Sequence, residues 1–201
     1  MSWIKVKKFE EATGKLKSIY KRIKGKNNQI DNVLSIHSLR PHTLVGHMSL
    51  YKNTLHHTDN TFPNWFLEFL GTYTSYINGC DYCYMHHFEG MKRFLDNDKK
   101  ADLIKHHIEH NTLSEILNKK ELALVDYANI LTLHASELVE DDIFRLKLFG
   151  YNDGEILEVN QVVSYFNYAN RTVLGLGVNT DNEILGLSPN NKTDEFSWSH
   201  D

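Results

Sequence analysis

Apolar residues recur at steps of three and four along nearly the whole of this 201-residue chain, and that spacing is the period of an α-helix. Phe9, Ala12, Leu16, Ile19, Tyr20 and Ile23 trace one stripe. Ile156, Val159, Val162, Val163, Phe166, Asn170, Val173 and Leu174 trace another. No stretch alternates apolar and polar residues as a half-buried strand does, and no hairpin signal or fixed repeat is present. The pattern predicts an all-α, multihelical chain. Its helices are expected over residues 9–23, 30–39, 41–57, 63–77, 80–95, 99–110, 119–133, 140–149 and 153–176. Pro41 and Pro63 suit first helical turns, and Gly150 suits a stop.

The segment "PNWFLEFLGTYTSYI", residues 63–77, is apolar and aromatic on every side, so its helix should be largely buried. Asn78-Gly79 then interrupts it, and the next helix begins near Cys80. If the chain reverses at this turn, the two helices run antiparallel. Counting back from the turn then sets Glu68 level with about Gly90, within one turn of His87. Glu68 is the single acid in the apolar run. It either points to solvent or is a buried carboxylate, which must be paired or protonated and whose pKa would rise.

The only two cysteines, Cys80 and Cys83, lie three residues apart on the second of these helices. That spacing sets both sulfurs on one face, and His87, four residues past Cys83, shares it; His86 is rotated away. The free N–H groups and dipole of the first turn favour a thiolate at Cys80. Three readings follow. One is a redox dithiol, in which a thiolate attacks and the second thiol resolves the product. One is a metal site using Cys80, Cys83 and His86 or His87, with a distant histidine as fourth ligand. The third is two buried, apolar cysteines. A covalent haem site would require histidine where Tyr84 stands, and a thioredoxin-like site would require strands.

Composition narrows the function class. A formal charge of −4 gives no argument for nucleic acid or an acidic membrane surface. No apolar run is long enough to span a bilayer. The opening "MSWIKVKKFEEATGKL" lacks the apolar stretch of a secretory signal, so the expected location is cytoplasmic. In a reducing cytosol a C-x-x-C pair is catalytic, redox-active or metal-binding more often than a structural disulfide. The histidine pairs 56–57 and 106–107 read as solvated surface, and Asn167, Asn170 and Arg171 as structural polar groups on the last helix.

The pattern E-x11-C-x2-C-x3-H, realised as Glu68, Cys80, Cys83 and His87, resembles the alkylhydroperoxidase D / carboxymuconolactone decarboxylase-like family. The stretch "INGCDYCYMHH" is similar to the "LNGCxYCxxHH" of its uncharacterised peroxidase-related branch. A second block, "GYNDGEILEVNQVVSYFNYANRTVLGLGV" at residues 150–178, resembles that family's C-terminal helix, and "DYANILT" at 126–132 also fits. The resemblance runs over residues 30–178. It divides the chain into an N-terminal helical segment (1–29), an alkylhydroperoxidase D-like domain (30–178) and a C-terminal tail or arm (179–201), in which Phe196 and Trp198 could pack onto a neighbouring subunit.

The resemblance implies an all-helical fold, a homo-oligomer from dimer upward (hexamer included) and a cofactor-free thiol peroxidase. In that reading Cys83 attacks a peroxide, Cys80 donates a proton and then closes the disulfide, and Glu68 and His87 relay the proton that activates Cys83. An external dithiol, protein or lipoyl in type, regenerates the pair. The partners are thus a small-molecule peroxide and a reductant, with no nucleic acid and no membrane. The alternative is a non-enzymatic redox-sensing or zinc-binding oligomeric module. One departure stands out: characterised members carry histidine where this chain has Tyr82.

Overall fold

A computed structural model describes residues 2–25 and 28–187. Within them the chain is helical and forms no strand. The helices are α1 (Gly14–Ile23), α2 (Asn32–Ser35, continued by a 3-10 turn Ile36–Leu39), α3 (Pro41–Leu55), α4 (Asn64–Ile77), α5 (Asp81–Leu95), α6 (Asp98–Glu109), α7 (Lys119–Leu133), α8 (Glu140–Leu148) and α9 (Asp153–Leu176). No described helix is long and apolar enough to cross a membrane. Phe196 and Trp198 lie outside the described residues.

Local chemistry sets most of these boundaries. Asn118 and Asn152 each accept the N3 backbone N–H of their helix, while Glu121 and Glu155 reach back to the N-cap N–H. These capping boxes start α7 and α9. Asn97 caps α6 by accepting from Lys100 N–H. The first two helices are shorter than their stripes suggest. Gly14 has φ +52°, a left-handed residue that keeps 9–12 in a turn. The apolar run at 30–39 splits into one α-turn and one 3-10 turn.

α4 is the centre of the molecule. Residues 66–75 are buried without interruption, and Leu67, Phe69 and Leu70 are fully enclosed. Burying each such side chain contributes about 1.5–3 kcal/mol. α5 packs antiparallel to α4, and α9 and α7 cover its other faces. α1 adds Leu16, Ile19, Tyr20 and Ile23 to the same core. Polar groups of α9 tie the layers within the chain: Ser75 Oγ donates to Asn170 Oδ1 at 3.1 Å, and Asn167 Oδ1 accepts from Asn78 Nδ2 at 3.1 Å. Arg171 also donates to Asn167 Oδ1, at 2.6 Å. These residues therefore hold structure together, as read from the sequence.

The tightest approach is between α4 and α9. The Phe166 ring covers Gly71 so closely that a Cβ there would lie 2.1 Å from Cζ. Gly71→Ala should therefore destabilise the fold by about 1–3 kcal/mol through overpacking, although alanine is the better helix former. Gly46, exposed on α3 with nothing within 4 Å of its Cβ position, is the control. Gly46→Ala should stabilise by about 0.5–1 kcal/mol. Urea unfolding of the two variants checks the pair, and a shift of the same sign for both would refute the packing assignment.

Candidate active site

The Asn78-Gly79 turn is where the site begins. Gly79 has φ +65°. Its N–H donates to Tyr76 O, and Cys80 N–H donates to Ser75 O, each at 2.9 Å. This pair of bonds is a Schellman motif closing α4. Cys80 is at once the last residue of that motif and the N-cap of α5. The turn thus fixes the antiparallel register of α4 and α5 and delivers both cysteines to the junction.

The register brings Glu68 and His87 together. Glu68 is buried, and its Oε2 accepts from His87 Nδ1–H at 2.6 Å. A Cβ on Gly90 would stand 3.1 Å from the Glu68 carboxyl carbon, so the carboxylate is level with Gly90. The other oxygen, Oε1, lies 3.6 Å from His56 Nε2. Burial raises the Glu68 pKa. The charge and hydrogen bond of His87, then the charges of His56 and Arg93, outweigh it, and the carboxyl sits below its ordinary value. The sequence suggested a raised pKa for a buried carboxylate there. Its imidazole partners reverse that sign. With Nδ1 bound to the carboxylate, Nε2 is the nitrogen of His87 left to exchange a proton.

Both cysteines are buried and not joined to each other. A hydrogen bond from the Cys83 thiol lowers the Cys80 pKa, against a smaller opposing effect of burial. Donating that bond, together with burial, holds the Cys83 pKa well above its ordinary value. The lower-pKa sulfur is the one at the helix N-terminus, and the cause is its hydrogen bond from Cys83. The two sulfurs differ in access as well. Cys80 packs among Ile36, Val173 and Val178. Cys83 lines a cavity of about 50 Å³ that Glu68, His87 and Gly90 also line.

Several lining residues were not singled out in the sequence. Tyr51 and Tyr165 face the cavity, and burial raises both phenols well above their usual pKa, so both stay protonated. Tyr82 accepts Val33 N–H at 3.2 Å and donates to Glu183 Oε1 at 3.0 Å. His86 lines the cavity with its Nε2 3.6 Å from Glu183 Oε2. The solvated reading of the histidine pairs is wrong for one member of each. His56 is buried against Tyr51 and Glu68, and His107 is buried with its Nδ1 2.7 Å from Thr112 Oγ1. His57 and His106 keep solvent contact. The zinc alternative lacks a ligand set: among the described residues, no three His, Cys, Asp or Glu side chains gather in a metal-holding arrangement.

The pairing of Glu68 predicts a pH-dependent stability. A carboxyl whose folded pKa is depressed contributes stability that is complete above the unfolded value, about 4.3, and is lost as pH falls through the folded value. Glu68→Gln should cost about 2–5 kcal/mol near neutrality by leaving His87 without its anion. The gap between native and variant should be flat from neutral pH down to about 5 and narrow below about 4. Chemical denaturation across that range measures it. A gap that widens towards acid would show that Glu68 is protonated in the fold.

No protein-family profile matches the sequence, and a search of curated proteins finds no match. Solved structures do match. An alkylhydroperoxidase AhpD core, an uncharacterised peroxidase-related protein from Ralstonia eutropha JMP134, superposes with a TM-score of 0.76 at 19% identity, over 90% of this chain and 93% of that one. An uncharacterised peroxidase-related protein from Silicibacter sp. TM1040 gives 0.67 at 21% identity, over 77% and 78%. A protein of unknown function from Agrobacterium tumefaciens gives 0.60 at 18% identity, over 74% and 97%. The chain has the alkylhydroperoxidase D-like fold.

Proposed function

We propose that this chain is a thiol-dependent peroxidase that reduces hydrogen peroxide or an alkyl hydroperoxide with the Cys80/Cys83 dithiol. The observation that carries the proposal is the convergence of Cys83, His87 and Glu68 on one buried cavity, with Glu68 and His87 hydrogen-bonded at 2.6 Å. The peroxidase-related names of two structural neighbours agree with it.

The reaction balances as follows. Once the pair has lost one proton, the proton that remains resides mainly on Cys83, whose thiol bonds to Cys80. Its transfer along that bond to Cys80 leaves a thiolate at Cys83, the sulfur that borders the cavity. The Cys83 thiolate attacks the distal peroxide oxygen. The O–O bond breaks, Cys83 becomes a sulfenic acid, and the leaving alkoxide or hydroxide takes the proton held by Cys80. Cys80, again a thiolate, attacks the sulfenic sulfur. The S–O bond breaks, the disulfide forms, and His87 protonates the departing hydroxide to water. Glu68 fixes the ring of His87 through the hydrogen bond at Nδ1. The two sulfurs are oxidised and one peroxide is reduced. An external dithiol then returns two electrons and two protons, one to the sulfur pair and one to His87.

This scheme resolves the competition between the two sulfurs. Cys80 has the lower pKa but is walled by apolar side chains. Cys83 borders the cavity and stands four residues from His87. Access selects the attacking atom, and the lower pKa of Cys80 makes it the proton carrier and resolving thiol.

Anaerobically reduced protein mixed with hydrogen peroxide should lose thiols at least about a hundredfold faster than free cysteine at the same pH. A Cys80–Cys83 disulfide should appear by mass spectrometry. Cys83→Ser should abolish the fast phase. Cys80→Ser should stop at a sulfenic acid on Cys83, trapped by dimedone. Oxidation no faster than free cysteine, or a sulfenic acid trapped only on Cys80, would sink the scheme.

A further inference from the structure

The cavity that Cys83 lines is walled on one side by a segment that belongs to no helix. Residues 179–187 leave the end of α9 and return across residues 29–32 to the flank of α5. Polar bonds fasten the segment. Asn32 Nδ2 donates to Asn179 O at 2.9 Å, and Gln29 Nε2 donates to Asn182 O at 3.0 Å. Glu183, with a side chain only 2% exposed, accepts from Asn32 N–H and from the Tyr82 hydroxyl, and its second oxygen faces His86. Gly186, at φ +74°, lies so close to α5 that a Cβ would stand 2.7 Å from Glu89 Cβ. Leu187 then enters the cavity wall beside Cys83.

This wall limits the space. The cavity holds about 50 Å³. At ~10–15 Å³ for each water-sized group, that is room for about four such groups. Hydrogen peroxide amounts to about two, and a phenyl-bearing hydroperoxide to roughly ten.

We propose that the 179–187 segment is the specificity wall of the cavity and restricts the oxidant to hydrogen peroxide and comparably small hydroperoxides. Leu187 sets the size limit. Glu183 is a positioning residue, holding the segment through Asn32, Tyr82 and His86. The inference rests on the peroxidase reading of the same cavity and narrows its substrate class. Bulky hydroperoxides are excluded because their carbon skeleton would have to displace Leu187 and with it the segment that the buried Glu183 carboxylate fastens. Removing the hydrogen-bond partners of a buried carboxylate is costly, so the wall resists displacement.

The test is the ratio of two second-order rate constants, for hydrogen peroxide and for cumene hydroperoxide, measured as thiol loss on the full-length reduced protein. The native ratio should be about tenfold or more above that of free cysteine with the same two oxidants, the scale on which pocket shape discriminates. Leu187→Ala and Glu183→Gln should each lower the ratio at least about threefold, by raising the cumene hydroperoxide rate relative to the peroxide rate. A purely structural role for the segment would depress both rates and leave the ratio where it was. Gly186→Ala, which forces the segment off α5, should lower the ratio in the same way. A native ratio equal to that of free cysteine, or a ratio that none of the three variants moves, overturns this inference and leaves the peroxidase reading intact. A chain that neither oxidant oxidises faster than free cysteine overturns the peroxidase reading and this inference with it.

Discussion

The carboxylate of Glu68 lies inside the most apolar helix of the chain, and its burial dictates what surrounds it. An unpaired carboxylate in such a place would carry a penalty of several kcal/mol. The fold offsets it from three directions. α5 supplies His87 and the charge of Arg93, and the end of α3 supplies His56. α5 can approach closely because Gly90 has no side chain at the level of the carboxyl group. The Phe166 ring meets the His87 ring edge-on at 4.4 Å, so α9 confines the imidazole from the far side. Replacing the buried Glu68–His87 pair as a whole with well-packed apolar residues of similar volume would be no less stable, and often more. Stability alone therefore does not account for a charge here. A group that must hold an imidazole in one orientation and balance its charge does account for it.

The second constraint is the turn between α4 and α5. A Schellman motif spends its two closing hydrogen bonds on residues 75–80, and Cys80 receives one of them through its own N–H. That residue then caps the next helix without an intervening loop. No slack exists between the end of one helix and the start of the next, so the distance along α4 to Glu68 and along α5 to His87 is fixed. Tyr84 N–H bonds back to Cys80 O at 2.9 Å, which locks the first turn of α5 around both sulfurs.

How much of this was legible follows from the range of the interactions. The Asn-Gly turn, the apolar α4 and the i, i+4 relation of Cys83 to His87 are local, and the pairing of Glu68 with His87 comes from counting across one tight turn. The capping boxes of α7 and α9 are local too. The part that escaped is non-local. Tyr82 and Glu183 are 101 residues apart, and no periodic signal connects them. Glu183 stands in a stretch that reads as a tail or arm, and only the return of that stretch over residues 29–32 buries it. His56 precedes the polar run "HTDNT", which suggests solvent, yet packing of the α3 end against α4 encloses it. The helix boundaries at 9–23 and 30–39 failed for a related reason. Their stripes are real and buried, but the left-handed Gly14 and the 3-10 turn at Ile36–Leu39 shorten the helices that carry them.

The position of Tyr82 shows how a departure from the sequence pattern that this chain resembles can be absorbed. The residue between the cysteines points away from the sulfur–imidazole face by helix geometry alone. In this chain its phenol is buried, with its pKa raised well above the usual value by burial and then by the Glu183 and Asp31 charges. It therefore acts as a donor to Glu183 and does not exchange protons near neutral pH. Tyr82 thus serves to anchor the 179–187 segment. His86, with its ring 4.5 Å from that of Tyr82, is drawn into the same cluster and away from Glu68. The two adjacent histidines consequently divide: His87 is held by a carboxylate from α4 and His86 faces one from beyond α9. In the proposed reaction, proton exchange at Cys83 and enclosure of the cavity thereby fall to different side chains. The 179–187 segment can vary without disturbing the Glu68–His87 pair that the proposed sulfur chemistry uses.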